Sequence, residues 1–185
     1  MVFLGIKIPD HIAESLRGIK VPGKKENAAH YHITMFFLGS NVPTPKLTHM
    51  VEVAHDVLAT AKPFSLKLDH VTNFPAGEDG YPIICPVSSN GLKRLRQKLK
   101  EAFDEKGVEY ANNFPNYTPH VTLSYADEGL EKKPFEPIKW KADEVVLWGG
   151  DSGEDRLVVK FPFSSGASKK AFVVAARHVL DAVSP

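Results

Sequence analysis

The sequence predicts an α+β fold of two similar lobes, each an antiparallel sheet with helices on its outer side. Three observations carry that expectation. Strand-like segments alternate with segments of helical periodicity along the whole chain. A strand, a His-x-Thr phrase, a helix and a hairpin-like pair of runs recur in both halves. The phrase itself is written twice, as His32-Ile33-Thr34-Met35 and His120-Val121-Thr122-Leu123, with 120 − 32 = 88 residues between the histidines.

Taken in order, "VFLGIKI" (2–8) is β-rich and ends at Pro9-Asp10, where Asp10 is placed to cap a short helix reaching about Gly18. "KVPGKKEN" (20–27) has loop chemistry, with Pro-Gly for a turn and solvated lysines. The first His-x-Thr strand follows. From Thr44 to about Ala61, Leu47, Met50, Val51, Ala54, Val57 and Leu58 recur at helical spacing behind a Thr-Pro start. "FSLKLDHVTNF" and "YPIICPV" read as strands joined by the turn-rich "PAGEDG". Ser88 or Ser89 can cap the next helix, whose stripe is Leu92, Leu95, Leu99, Ala102 and Phe103. After the second His-x-Thr strand, "DEVVLWGG" and "RLVVKFPF" read as a closing antiparallel pair. A Ser/Gly-rich joint then leads to a last helix from about Lys169 to Ala182, amphipathic through Phe172, Ala175, Ala176, Val179 and Val183.

At 185 residues and 43% hydrophobic content, one folded unit with a substantial core is expected. We divide it into a bilobal domain over 1–163 and a linker with a terminal helix over 164–185. The formal charge of +1, from 23 basic and 22 acidic side chains, gives no global signal for a polyanion, so any nucleotide contact must be local. A single cysteine, Cys85, excludes an internal disulfide framework and fits a reducing compartment. The opening "MVFLGIKIPDH" has too short an apolar run for a signal peptide, and no run approaches membrane-spanning length. The expected location is cytoplasmic, without membrane contact.

Strand alternation puts His32 and Thr34 on one face and Ile33 and Met35 on the other; His120 and Thr122 likewise oppose Val121 and Leu123. The same alternation adds His30 and Phe36 to the first polar face, and Thr118 and Ser124 to the second. Two histidines across a cleft can share acid–base labour on a phosphodiester, neutral imidazole taking a proton and imidazolium giving one. Threonine hydroxyls two positions on can hold the non-bridging oxygens of the transition state. No metal is needed, and a zinc pair of His30 and His32 lacks cysteine or acidic partners nearby.

These two phrases, the first followed by "FFLG" and the second preceded by aromatic-Thr-Pro, resemble the motifs of the 2H phosphoesterase superfamily, which includes RNA 2′,3′-cyclic phosphodiesterases historically labelled 2′-5′ RNA ligases. The resemblance spans roughly Val2 to Phe163. It implies a bilobal fold, a water-filled cleft with one His-x-Thr strand per lobe, and catalysis by His32, Thr34, His120 and Thr122 without a cofactor. Its substrates include 2′,3′-cyclic phosphates, 2′-5′ or 3′-5′ oligonucleotides and cyclic nucleotides. The terminal helix is a departure from that pattern and a candidate surface for self-association or a partner.

The sequence expectation is therefore a metal-independent phosphodiesterase acting on a nucleotide or RNA-derived phosphodiester. The rival is a binding module that holds a cyclic nucleotide or RNA end without turnover. Candidate substrate contacts are His30, Phe36, Thr118 and Ser124, with Phe74, Tyr81, Phe114 and Tyr117 as stacking aromatics. Neither a Lys-x-Asp-Gly nucleotidylation motif nor a P-loop is present, which disfavours ATP-dependent ligation.

Overall fold

The strands sort into two antiparallel sheets whose membership cuts across the two sequence halves. The computed structural model describes residues 1–111, 116–149, 156–164 and 168–183. Its elements are β1 (Val2–Lys7), α1 (Asp10–Arg17), β2 (Lys24–Lys25), β3 (His32–Gly39), α2 (Thr44–Leu58), β4 (Phe64–Asn73), β5 (Tyr81–Pro86), α3 (Asn90–Lys106), β6 (His120–Ala126), β7 (Lys133–Ala142), β8 (Glu144–Gly149), β9 (Arg156–Pro162) and α4 (Lys169–Val183). One sheet has the order β3-β1-β8-β9 and the other β2-β6-β5-β4-β7. The hairpin that follows the first His-x-Thr strand thus belongs to the sheet of the second, and the closing hairpin belongs to the sheet of the first.

Two strands depart from the sequence expectation. β2 falls in the stretch expected to be a loop and pairs Lys24 with Tyr125 and Lys25 with Ser124. Lys25 is not simply solvated: its ammonium donates to the carbonyls of Arg17 and Ile19 at the end of α1. β7 is concealed by two prolines and several lysines, yet it pairs with β4 from Phe64↔Ala142 to Val71↔Lys133. It is an edge strand, where proline costs no ladder bond to a further neighbour.

Helix ends follow local chemistry more closely. Ser89 accepts from Leu92 N–H to start α3, and Gly107 at φ +70° ends it in the left-handed conformation. For α1, Pro9 occupies the cap and Asp10 contributes only its charge in the first turn. Leu4, Ile33, Val51, Ala54, Leu66, Leu92 and Val121 are all fully buried in one continuous core. Cys85 is part of it, and burial pushes its thiol up to about 12.

The last helix is docked. Phe172 meets His55 of α2 and Phe161 of β9, at 4.8 and 5.2 Å between ring centres, and Lys169 pairs with Asp56. Ala176 and Leu180 are buried while Ala175 and Val179 are exposed, so the inward stripe advances in fours from Phe172. Among the described residues no helix is long and apolar enough to cross a membrane.

The two His-x-Thr strands share a deviation that positions the site. Against β1, Phe36 pairs with Leu4 and Thr34 with Gly5, leaving Met35 as an extra residue. Against β5, Ser124 pairs with Ile83 and Thr122 with Ile84, leaving Leu123 extra. Each strand is therefore bulged at the residue following the threonine. A bulge lets two successive side chains face the same way, and Met35 with Phe36, and Leu123 with Ser124, are accordingly all buried.

Candidate active site

β3 and β6 come together with His32, Thr34, His120 and Thr122 lining one cleft of about 400 Å³. The two imidazoles are held in the same way. His32 Nδ1–H donates to the carbonyl of His30 at 2.7 Å, and His120 Nδ1–H donates to that of Thr118 at 2.8 Å. A carbonyl can only accept, so both rings carry a proton on Nδ1. His30 and Thr118, expected as side-chain contacts, serve here through their backbones, although His30 also lines the cleft.

Aromatic rings fix the imidazoles laterally. Phe3 lies 4.5 Å from His32 and is stacked on Trp148 at 4.9 Å, with Trp148 at 5.7 Å from His32. Phe74 meets His120 edge-on at 4.7 Å, which brings this expected aromatic into the site. Phe3, Trp148 and Val146, with Phe37 packed on them, form a small apolar cluster separate from the main core. It arises from cross-strand register, Phe3 being paired with both Phe37 and Trp148.

Two expected contacts are corrected by the bulges. Phe36 is buried against Phe103 and Tyr110, and Phe37 takes the cleft side in its place. Ser124 is fully buried, its hydroxyl donating to the carbonyl of Pro22, and Tyr125 lines the cleft instead. The offsets agree, 37 − 32 = 5 and 125 − 120 = 5, so an aromatic at the same distance from each histidine was a signal available in the sequence. Phe3 and Trp148 gave no such signal, because only strand pairing brings them to His32.

Tyr117 is in place but not as a stacking surface. Its hydroxyl donates to the carbonyl of Thr34 at 2.9 Å, and the Arg96 guanidinium lies 3.9 Å from its ring centre. Arg96 also donates to the carbonyl of Met35, the bulged residue, at 3.1 Å. A helix on the second sheet and the approach to β6 thereby grip β3 at its bulge. Tyr81 pairs with Ala126, lies against Gly129 and is not among the residues lining the cleft. Phe114 lies outside the described residues.

Burial holds His120 below the ordinary histidine value, and nearby His32 pushes in the same direction; the bond to Thr118 opposes both. No group of three or more His, Cys, Asp or Glu side chains that could hold a metal occurs among the described residues.

Two facing His-x-Thr strands on two antiparallel sheets define a 2H phosphoesterase-type protein, and the comparisons agree. The model of the 2'-5' RNA ligase superfamily matches residues 8–154, and the chain belongs to that superfamily. TT0787 of Thermus thermophilus superposes with a TM-score of 0.73 at 18% identity, over 90% of this chain and 99% of that one. A structure described as a phosphoesterase gives 0.71 at 21% identity, over 89% and 98%. E. coli LigT with 3'-AMP gives 0.69 at 21% identity, also over 89% and 98%. No curated protein matches by sequence.

Proposed function

We propose that the protein is a metal-independent phosphodiesterase for an RNA-derived phosphodiester, with His32 and His120 dividing the proton transfers. The observation that carries this reading is the matched pair of imidazoles, each tied through Nδ1 to the carbonyl two residues before it, beside a threonine, in one cleft. Structures of LigT with 3'-AMP, ATP, NADP+ and phosphate support a nucleotide-sized ligand for such a cleft.

His120 is the base in this reading, because its burial lowers its pKa and so favours the neutral form that can take a proton. On a 2′,3′-cyclic phosphate, His120 Nε2 takes a proton from water as the water oxygen bonds to phosphorus. The opposite P–O bond breaks, and His32 Nε2–H delivers its proton to the departing ribose oxygen. On an open RNA linkage the neighbouring ribose hydroxyl replaces water, favoured by its proximity. Thr34 and Thr122 donate to the non-bridging oxygens, where charge builds up.

The test is turnover of a panel comprising a 2′,3′-cyclic-phosphate RNA end, 2′-5′ and 3′-5′ oligonucleotides, cyclic nucleotides and their 2′-deoxy counterparts, with and without chelator. Cleavage of at least one ribose substrate is expected, undiminished by chelation, with no cleavage of a deoxy linkage. Loss on chelation with rescue by zinc would overturn the metal-independent mechanism. Tight binding without cleavage of any substrate would leave a binding module.

The pH profile tests the assignment of roles. A base must be neutral, and His120 lies below its ordinary value of 6.5, so the acid limb of kcat/KM should fall below pH 6.5. Rate is retained as pH drops to that limb and is lost as His120 protonates. An acid limb above 6.5, or one unchanged in the residual activity of His120→Ala, would count against His120 as the base.

A further inference from the structure

The cleft face of the second sheet continues well past the histidines. Thr122 pairs with Ile84, and Ile84 with Thr72; paired residues of an antiparallel sheet project to one side. Thr72 therefore shares a face with Thr122, and so does His70, since the intervening Val71 is fully buried on the opposite, core side. Leu66 and Leu68 are also fully buried, which turns Lys67 to the cleft face. Lys67 and His70 both bond Asp69, at 2.8 and 2.7 Å.

β7 extends the pattern. Lys139 lies opposite Lys67 and Lys141 opposite Ser65, while Trp140 between them turns inward and is buried. Lys139 and Lys141 are exposed and enter no ion pair among the described residues. Like charges directly opposite across a strand pair are unfavourable. An anion lying over Lys67 and Lys139 would relieve that repulsion, which Asp69, paired with Lys67 and His70, offsets in part.

The two walls of the cleft thus differ. The first sheet presents Phe37, backed by the buried Phe3 and Trp148, and the second leads from His120 to a basic strip. Strand spacing of about 4.8 Å puts β4 about 10 Å and β7 about 15 Å from β6. That is too far for the phosphate of a mononucleotide held between the histidines, and within reach of the next phosphates of a chain.

We propose that Lys67, His70, Lys139 and Lys141 bind the backbone phosphates of a single-stranded RNA whose terminal phosphodiester lies between His32 and His120. Charge complementarity and continuity with the cleft select this occupant, and the half-buried ring of Phe37 suits an unstacked base of a single strand. The proposal rests on the phosphodiesterase reading for its direction along the RNA.

The test compares the full chain with its Lys139→Gln/Lys141→Gln variant on a mononucleotide 2′,3′-cyclic phosphate and on an RNA oligonucleotide ending in the same group. Binding of a labelled oligonucleotide with a terminal 3′-phosphate is followed by anisotropy against salt. The variant should raise KM for the oligonucleotide about tenfold and leave mononucleotide kinetics within about twofold. Its log–log salt slope should fall by about 1.4, from two phosphates at about 0.7 each, and Lys139→Arg/Lys141→Arg should restore binding. Equal oligonucleotide kinetics and equal slopes in both proteins would overturn the strip while sparing the enzyme. Lysine-dependent RNA binding without turnover of any substrate would overturn the enzyme while sparing the strip. Equal losses on mononucleotide and oligonucleotide, or preference for duplex RNA or phosphatidylserine vesicles, would also overturn it.

Discussion

Turnover should fall by about 10²–10⁴-fold in His32→Ala and again in His120→Ala, with thermal unfolding close to that of the unmodified protein. The reason is that in the proposed mechanism the two imidazoles act in one step: a nucleophile cannot be deprotonated usefully if the leaving oxygen cannot be protonated. The double variant should therefore be little worse than either single one, because the second substitution removes a partner already without work. Stability is little affected because both rings are only half-buried at a cleft and each donates a single hydrogen bond to the carbonyl two residues before it. Thr34→Ala and Thr122→Ala should act more mildly, raising the barrier by about 1–3 kcal/mol each. Steady-state kinetics with circular dichroism on the same samples decides the matter; single-variant rates near that of the unmodified protein would remove the histidines from the mechanism.

The second large effect is expected at Arg96, which touches no substrate in this reading. Its guanidinium lies over Tyr117 and Phe36, at 3.9 and 4.8 Å from the ring centres, and bonds the carbonyl of the bulged Met35. Arg96→Met keeps much of the apolar stem but loses a charged hydrogen bond, about 1.5–3 kcal/mol, and the stacking. The bulge then loses one of its two side-chain anchors, and the other, Tyr117, loses the cation above its ring. A small error in the direction of Thr34 and His32 is costly if, as proposed, catalysis depends on their aim. We expect kcat to fall by about 10–100-fold with KM changed much less, measured where circular dichroism shows the protein folded. Arg96→Lys should rescue poorly, since lysine cannot present a planar fork that stacks and bonds together. Tyr117→Phe should give a smaller loss of the same kind. If kcat holds at temperatures where the Arg96→Met protein is folded, the contact is structural only.

The parts of this protein that depend on neighbours in the chain were legible as sequence. Helical spacing marked α2 and α3 closely, the pair Ser88 and Ser89 offered the cap that Ser89 supplies to α3, and two His-x-Thr phrases on apolar strands pointed to a paired site. The same local reasoning extended alternation through β3 and β6 without interruption, and so assigned Phe36 and Ser124 to the cleft. One bulge in each strand reversed that phase and put Phe37 and Tyr125 there. A bulge is chosen by what lies beside it: Arg96, Tyr117 and the backbone of Glu26 satisfy carbonyls at these turns, and none adjoins its partner in sequence.

Sequence alone thus determined the chemistry on offer, namely two histidines and two threonines in matched phrases, and the helices that carry the core. Tertiary structure decided which hairpin joins which sheet and which aromatic faces which histidine. The physical reason is that propensity and periodicity act over a few residues, whereas strand pairing is fixed by contacts between distant segments. A shift of one residue in that pairing moves every later side chain to the opposite face.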